Sequence, residues 1–270
     1  PKQKETMPGI ERYALSMARD TNLRHDISTY CAWTPAFAEY ATQEDWYRSE
    51  QITVTGIPRV DFYADRWRAA ARRISQHANG YGEPMILINS GFTLANPRYQ
   101  SPKKELKMII TKSPYSRDLT KKRMYAQKNA LEALSSLANT LAGRFPKVTF
   151  IYRPHPFEGE KIYKSLLKPL PNLHLVKQGT VDGWLLRAKA LIHWGGCSTA
   201  VEACLAGIPA FTAGWIPVHL PPPAVEEVSI KCLTEEELML RISDVLEGNF
   251  SLPSKIAEKI NKAVENTFYK

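Results

Sequence analysis

Two stretches of the chain constrain its fold more than any others. The first is Phe150-Ile151-Tyr152-Arg153-Pro154-His155-Pro156-Phe157-Glu158. The second runs Leu191-Ile192-His193-Trp194-Gly195-Gly196-Cys197-Ser198-Thr199-Ala200-Val201-Glu202-Ala203 and continues through Gly207-Ile208-Pro209. Each reads as an apolar strand that ends in a polar turn and passes into a helix. Short strands that are apolar along their whole length are buried on both faces, as in a parallel sheet covered by helices. In an open sheet of that kind the turns at the carboxyl ends of the strands lie together, and ligands bind there. One turn carries Arg and His, the other two glycines followed by hydroxyls at a helix start. Together they form a phosphate-type site.

The remaining pattern agrees with an alternation of strands and helices. Met85-Ile86-Leu87-Ile88-Asn89 is a third continuous apolar run. Val60 to His77 reads as a helix closed by Asn79-Gly80-Tyr81-Gly82, and Lys121 to Arg144 as a long amphipathic helix with Met124, Leu131, Leu134, Leu137 and Leu141 on one side. Shorter strands are expected at 173–176, 209–212 and 229–232. Helices are expected at 159–167, 181–188, 199–205, from Thr234 to Leu246, and over 253–267, and the prolines of 216–223 mark a loop. Thr234 with Glu237 three residues on is a capping box. Asn89 to Thr120 reads as a long polar loop following a strand's carboxyl end, a place where long loops are functional. Before residue 56 the pattern gives a short helix at 10–18, a helix at 34–47 rich in aromatic residues, and a strand at 51–55.

The fold class that follows is α/β, a doubly wound parallel-sheet, Rossmann-like domain over 56–250. A segment at 1–55 precedes it and a C-terminal helix at 251–270 follows. The chain opens on Pro1 rather than Met, as a fragment would.

Composition narrows the partners. At 270 residues with 44% hydrophobic and 23% charged content the chain is an ordinary globular protein, and no apolar run reaches the ~20 residues of a membrane-spanning helix. The net charge of +9 favours anionic ligands. The four cysteines lack metal-ligand spacing, which points to free thiols in a reducing cytoplasm and to no metal centre. Lysines and arginines at 103, 104, 107, 112, 117 and 121–123 form either a solvated face or a contact for an acidic acceptor or an anionic membrane surface. No base-stacking aromatic pattern accompanies them, which argues against nucleic acid.

At the first turn, Pro154 and Pro156 stiffen the backbone around His155. Arg153 is placed to grip a phosphate with two donors, and His155 to donate to a phosphate oxygen or act as an acid toward a leaving phosphate. The bland alternative has His155 bonding only a carbonyl. At the second turn, Gly196 lets a ligand approach the backbone, while Ser198 and Thr199 add hydroxyls at a helix N-terminus. Glu202 either completes a capping box with Thr199 or accepts hydrogen bonds from ribose hydroxyls. Asn89 is either polar lining of the crevice or a turn residue. Glu158 completes the first turn.

Arg153-Pro154-His155-Pro156 followed by Ser198-Thr199-x-x-Glu202-Ala203-x-x-x-Gly207-x-Pro209 resembles the donor-binding half of GT-B glycosyltransferases, in particular bacterial capsule and O-antigen biosynthesis proteins. Thr55-Gly56-Ile57-Pro58-Arg59-Val60-Asp61 and Leu87-Ile88-Asn89-Ser90-Gly91-Phe92 resemble further stretches of those proteins, so the resemblance covers about residues 50–215. The His-Pro and Ser-Thr pair is also similar to sialyltransferases, 3-deoxy-octulosonate (Kdo) transferases and glycerol-phosphate polymerases, which use CMP- or CDP-linked donors.

The resemblance implies a metal-independent transferase with no permanently bound cofactor. Its donor is a nucleotide-sugar, CMP-linked and Kdo-like by preference, and its acceptor a glycan or a lipid-linked glycan. It implies phosphate contacts at His155, Ser198 and Thr199; the reading of the residues themselves adds Arg153, Glu158, Gly196, Glu202, Arg59 and Asn89 as donor contacts, with His155 and Asp61 as catalytic candidates. For Asp61 the alternative is a helix-start charge favoured by the dipole. A cytoplasmic location, peripheral at the inner membrane, goes with this reading. About 55 residues precede the recognisable domain, a remnant rather than a full acceptor domain. Alternatives on the same scaffold are a sugar-nucleotide epimerase, a CDP-glycerol-type glycerophosphotransferase and a non-catalytic donor-binding subunit.

Overall fold

The computed structural model describes residues 26–63, 65–74, 76–112, 117–218, 223–254 and 256–258. The helix expected at 10–18 and most of that expected at 253–267 lie outside the described residues. Two short strands, β1 (Tyr30–Ala32) and β2 (Ile52–Val54), pair in parallel, with helix α1 (Pro35–Gln43) between them in the chain. Thr34 caps α1, its hydroxyl accepting from Phe37 N–H at 3.1 Å, and Pro35 occupies the first helical position. A 3₁₀ turn (Pro58–Tyr63) and helix α2 (Asp65–Ile74) follow, where the sequence pattern reads as one continuous helix.

The main sheet has six parallel strands: β3 (Met85–Asn89), β4 (Thr149–Arg153), β5 (Leu173–Leu175), β6 (Ala188–His193), β7 (Ala210–Ala213) and β8 (Ile230–Cys232). Their order across the sheet is β5-β4-β3-β6-β7-β8. The chain therefore steps outward from β3 on one side, returns across it, and steps outward on the other. The switch point lies between β3 and β6, where a doubly wound sheet leaves its ligand crevice. Register places Asn89 opposite Arg153 on one side and opposite His193 on the other.

Both faces of the sheet are covered, which is why its strands lack polar alternation. Ile86, Ile88, Phe150, Tyr152 and Ile192 pack with Leu131, Leu134, Leu137 and Leu141 of helix α4 (Arg117–Arg144) and with Leu238 and Ile242 of α9 (Glu235–Glu247). Met85, Leu87, Ile151 and Leu191 point the other way. They meet α2 and the short helices α6 (Val181–Leu185), α7 (Thr199–Leu205) and α8 (Pro223–Val228). Helix α5 (Lys161–Leu166) joins β4 to β5.

Three expectations change. The loop expected over 89–120 contains helix α3 (Pro102–Lys112), packed on α4, which itself starts at Arg117 rather than Lys121. The loop expected to reach residue 223 ends in α8, which begins at Pro223. At α9, Thr234 does accept from Glu237 N–H at 3.1 Å, but the Glu237 carboxylate reaches Leu233 N–H at 2.8 Å instead of the cap's own N–H.

Candidate functional site

The turn after β4 is organised by a carboxylate. Glu158 is completely buried and accepts hydrogen bonds from Ser90 Oγ (2.7 Å), Phe92 N–H (2.9 Å), His155 N–H (2.7 Å) and the Tyr163 hydroxyl. Burial raises its pKa, and these four donors oppose the rise. The backbone is zipped further by Arg98 N–H to Phe157 O (2.8 Å) and Gly159 N–H to Asn96 O (3.0 Å). Glu158 thus joins the segment after β3 to the turn after β4, with its oxygens occupied from inside the protein.

Arg153 is similarly engaged. Its guanidinium donates to Gln178 O (2.7 Å) and Gly179 O (2.8 Å) and lies over the Trp184 ring at 5.3 Å. Burial lowers its pKa to about 10, with Asp182 opposing. The arginine clamps the loop between β5 and α6.

His155 is exposed, and its ring leans on Phe157 at 5.5 Å between centroids. Phe157 N–H points at Nδ1 (3.2 Å), which makes Nδ1 the acceptor and puts the proton on Nε2. Burial of part of the ring and the neighbouring Lys177 lower its pKa, so the neutral form with an Nε2–H donor dominates at neutral pH.

The turn after β6 is held by a residue that the sequence pattern does not single out. His193 is completely buried at the end of β6. Gly195 N–H donates to its Nδ1 (3.0 Å), and Nε2–H lies 3.0 Å from Ser229 Oγ and 3.2 Å from Thr212 Oγ1. Ser229 donates onward to Val225 O at 2.5 Å. Desolvation lowers the His193 pKa to about 3, and the imidazole is neutral. A histidine at a strand end two residues before a glycine was the available signal, but its partners lie 19 and 36 positions away.

The two glycines have different reasons. Gly195 has a φ of +103°, a left-handed conformation that glycine adopts without strain. A Cβ at Gly196 would come within 2.6 Å of the Trp194 ring. The space in front of Gly196 is filled by that indole, so packing rather than ligand approach requires the glycine. Ser198 is exposed, and its hydroxyl makes no bond to the end of α7. Thr199 opens the helix.

Glu202 does not form the capping box. It is buried on α7, and its carboxylate accepts from Arg59 Nη2 and the Tyr63 hydroxyl, both at 2.6 Å. Its pKa is raised by burial, with Tyr63 and Arg59 opposing. This contact latches the 3₁₀ turn that carries Arg59 and Asp61 onto the helix of the second site turn. Asp61 itself is exposed on that 3₁₀ turn.

At the switch point two buried polar atoms have no partner: Asn89 Oδ1 and Trp194 Nε1. Asn89 Nδ2 reaches the Cys197 sulfur at 3.9 Å, whose pKa is raised by burial. Buried polar groups are satisfied in the great majority of cases, so an open acceptor and an open donor here mark a place for water or ligand. Beyond Gly195 a cavity of about 270 Å³ opens at the carboxyl ends of β7 and β8, with Thr212, Gly214, Val218, Glu226 and Lys231 among its walls. Among the described residues no cluster of His, Cys, Asp or Glu could hold a metal ion, no helix is long and apolar enough to cross a membrane, and the four cysteines are free.

The structure thus brings His155, Asn89, Ser198 and Thr199 to one edge of the sheet, with Arg153 and Glu158 bracing one turn and Glu202, Arg59 and His193 bracing the other. Strand order and layering define a doubly wound α/β domain. Solved structures share it. The wall teichoic acid polymerase TagF superposes with a TM-score of 0.55 at 12% identity, covering 97% of this chain and 58% of that chain. A histidine variant of TagF soaked with CDPG gives a TM-score of 0.51 at 13% identity, over 89% and 53%. A UDP-GlcNAc 2-epimerase of Methanocaldococcus jannaschii, in complex with UDP-GlcNAc and UDP, gives 0.49 at 16% identity, over 88% and 60%. The chain therefore spans less than two thirds of the length of these neighbours, and at such identities the likeness concerns the fold. No protein-family model and no curated protein matches the sequence.

Proposed function

We propose that this chain binds a nucleotide-activated donor at the β3–β6 switch point and takes part in its transfer to a surface-glycan acceptor, as a GT-B-type transferase. The observation that carries this is the pair of unpartnered buried groups, Asn89 Oδ1 at the end of β3 and Trp194 Nε1 just after β6, beside the His155 and Ser198–Thr199 turns. An open acceptor beside a row of neutral N–H and O–H donors suits a ligand with both hydroxyls and phosphate. A cytidine-linked donor, CMP-sugar or CDP-linked, is favoured by the His-Pro and Ser-Thr motifs and by the fold shared with a polymerase soaked with CDPG. Capsule or O-antigen assembly is the setting those motifs suggest.

In the reaction the acceptor oxygen attacks the donor carbon and the carbon–oxygen bond to the phosphate breaks. The nucleotide leaves with the charge on its phosphate. His155 Nε2–H and the Ser198 and Thr199 hydroxyls donate to those phosphate oxygens, and fixed donors aimed at developing charge supply most of the catalysis. Asp61, exposed on the latched 3₁₀ turn, is the candidate base toward the acceptor. The polymerase likeness favours one second reading, transfer of a glycerophosphate-type group from a CDP-linked donor by the same phosphate contacts.

The test is a thermal-shift titration with CMP, CDP, UDP and GDP on the wild type, His155→Ala and Ser198→Ala. A ligand at ~100 times its Kd stabilises by about 2.7 kcal/mol. A shift with CMP or CDP that both variants lose supports the reading. A shift with UDP alone redirects it to hexose donors or an epimerase. No shift with any nucleotide overturns it.

A further inference from the structure

Beside His155 the protein presents two aromatic rings to solvent on a rigid support. Tyr99 is 74% exposed and Phe157 59% exposed, with ring centroids 6.4 Å apart at 60°. Large aromatic rings usually seek burial, so an exposed pair held in place marks a contact surface. Their backbones are not loose. The bridge between Pro97 and Glu158, the Arg98 to Phe157 hydrogen bond and the buried Glu158 anchor both segments. Two cations lie nearby: the Arg98 guanidinium is 5.2 Å from the Tyr99 ring centroid, and Lys177, held on the carbonyl of Glu158, is close enough to His155 to lower its pKa.

We infer that this ridge of Tyr99, Phe157, Arg98 and Lys177 seats an anionic sugar or polyol chain, the acceptor side of the reaction. Aromatic faces pack on the C–H faces of sugar units, while Arg98 and Lys177 meet phosphate or carboxylate groups along the chain. Two rings inclined at 60° make an angled seat for successive units of a chain rather than the flat apolar face that a bilayer contact asks for. The ridge adjoins His155, and α3 begins three residues after Tyr99 with the exposed Lys103, Lys104 and Lys107, which add positive charge in the segment that follows the ridge. The assignment of the occupant as acceptor rests on the transferase reading above.

The experiment measures binding of the whole chain by calorimetry to a chondroitin sulfate hexasaccharide, to neutral maltohexaose, to inorganic polyphosphate and to phosphatidylglycerol vesicles. The nucleotide thermal shift is recorded in parallel. The expected result is binding of the sulfated hexasaccharide, weakened at least fivefold by Tyr99→Ala, by Phe157→Ala and by Arg98→Ala, with maltohexaose markedly weaker. Polyphosphate should respond to Arg98→Ala but not to the aromatic changes, and Tyr99→Ala should keep the nucleotide shift. Hexasaccharide binding indifferent to both aromatic changes overturns the inference, since the surface then acts by charge alone. So does release of the vesicles, but not of the hexasaccharide, by those changes. No hexasaccharide binding with the nucleotide shift intact overturns this inference and leaves the donor site standing. Loss of the nucleotide shift in the wild type, with the hexasaccharide response as expected, overturns the transferase reading and keeps the ridge as a glycan-binding surface.

Discussion

The turn after β4 and the turn after β6 make the same local bond and come to different ends. In each a histidine accepts, at Nδ1, the backbone N–H two residues further on: Phe157 N–H for His155 and Gly195 N–H for His193. In each the second nitrogen therefore carries the proton. His193 sits in the core and gives that proton to Ser229 and Thr212. His155 lies at the surface with Nε2–H free to meet a ligand. One motif thus serves as a brace where it is buried and as a donor where it is open. What separates the two is whether a neighbouring strand supplies the second partner.

The sharpest break in that comparison comes from the group beneath the open turn. Glu158→Ala leaves Ser90, Phe92, His155 N–H and Tyr163 without their acceptor. It should lower stability by about 3 kcal/mol or more, read by urea unfolding. His155→Ala should do the reverse. Stability stays within about 0.5 kcal/mol of wild type while the nucleotide shift is lost and turnover falls ~100-fold. An equal loss of stability would make His155 a brace like its counterpart.

His193→Phe removes the buried brace and should cost about 2 kcal/mol at pH 7. Its pH dependence sharpens the point. His193 stays neutral in the fold down to a pKa of about 3, whereas in the unfolded chain it takes up a proton below its ordinary value. The unfolded state then binds more protons, and stability falls as pH drops through that window. Between pH 7 and pH 5 the advantage of wild type over His193→Phe should shrink by about 2 kcal/mol, measured by urea unfolding at both values. An unchanged difference would mean that the imidazole is not neutral and buried as described.

Smaller effects belong to the latch on Glu202. Tyr63→Phe removes a buried hydrogen bond to a carboxylate and should cost about 1.5 kcal/mol. Arg59→Ala removes a cation whose side chain is 59% exposed and should cost less than about 1 kcal/mol, diminishing in high salt. Should Arg59 prove the larger loss, the latch would be ionic rather than a buried hydrogen bond.

The strands were legible in the sequence because burial on both faces leaves an unbroken apolar signature, and Met85–Asn89 appears with the bounds that the pattern suggests. Strand–turn–helix alternation likewise gave the two turns and their place at the sheet edge. Helix α3 was hidden because its lysines masked a narrow apolar face formed by Leu106, Ile109 and Ile110, which packs on α4 rather than on the sheet. The partners of the polar residues were the least legible part. Arg153 reaches carbonyls 25 and 26 positions away, Glu158 a hydroxyl 68 positions away, and Glu202 an arginine 143 positions away. No local pattern encodes such distances, so residues that read as ligand contacts in sequence turned out to be held by the protein itself.

Helix α4 has 28 residues, a length of about 42 Å, while the five residues of β3 or β4 cover about 17 Å. Because β3 and β4 are parallel, the helix between them runs back from the carboxyl edge. Its amino-terminal turns, with Lys121, Lys122 and Arg123, must overhang that edge, and α3 rides on them. The helix is fixed in the core by Leu131 to Leu141, and Thr120 and Gln127 nearer its start are buried as well. The carboxyl edge of the sheet is thus extended past its strands by a basic helix end that the strands themselves do not carry.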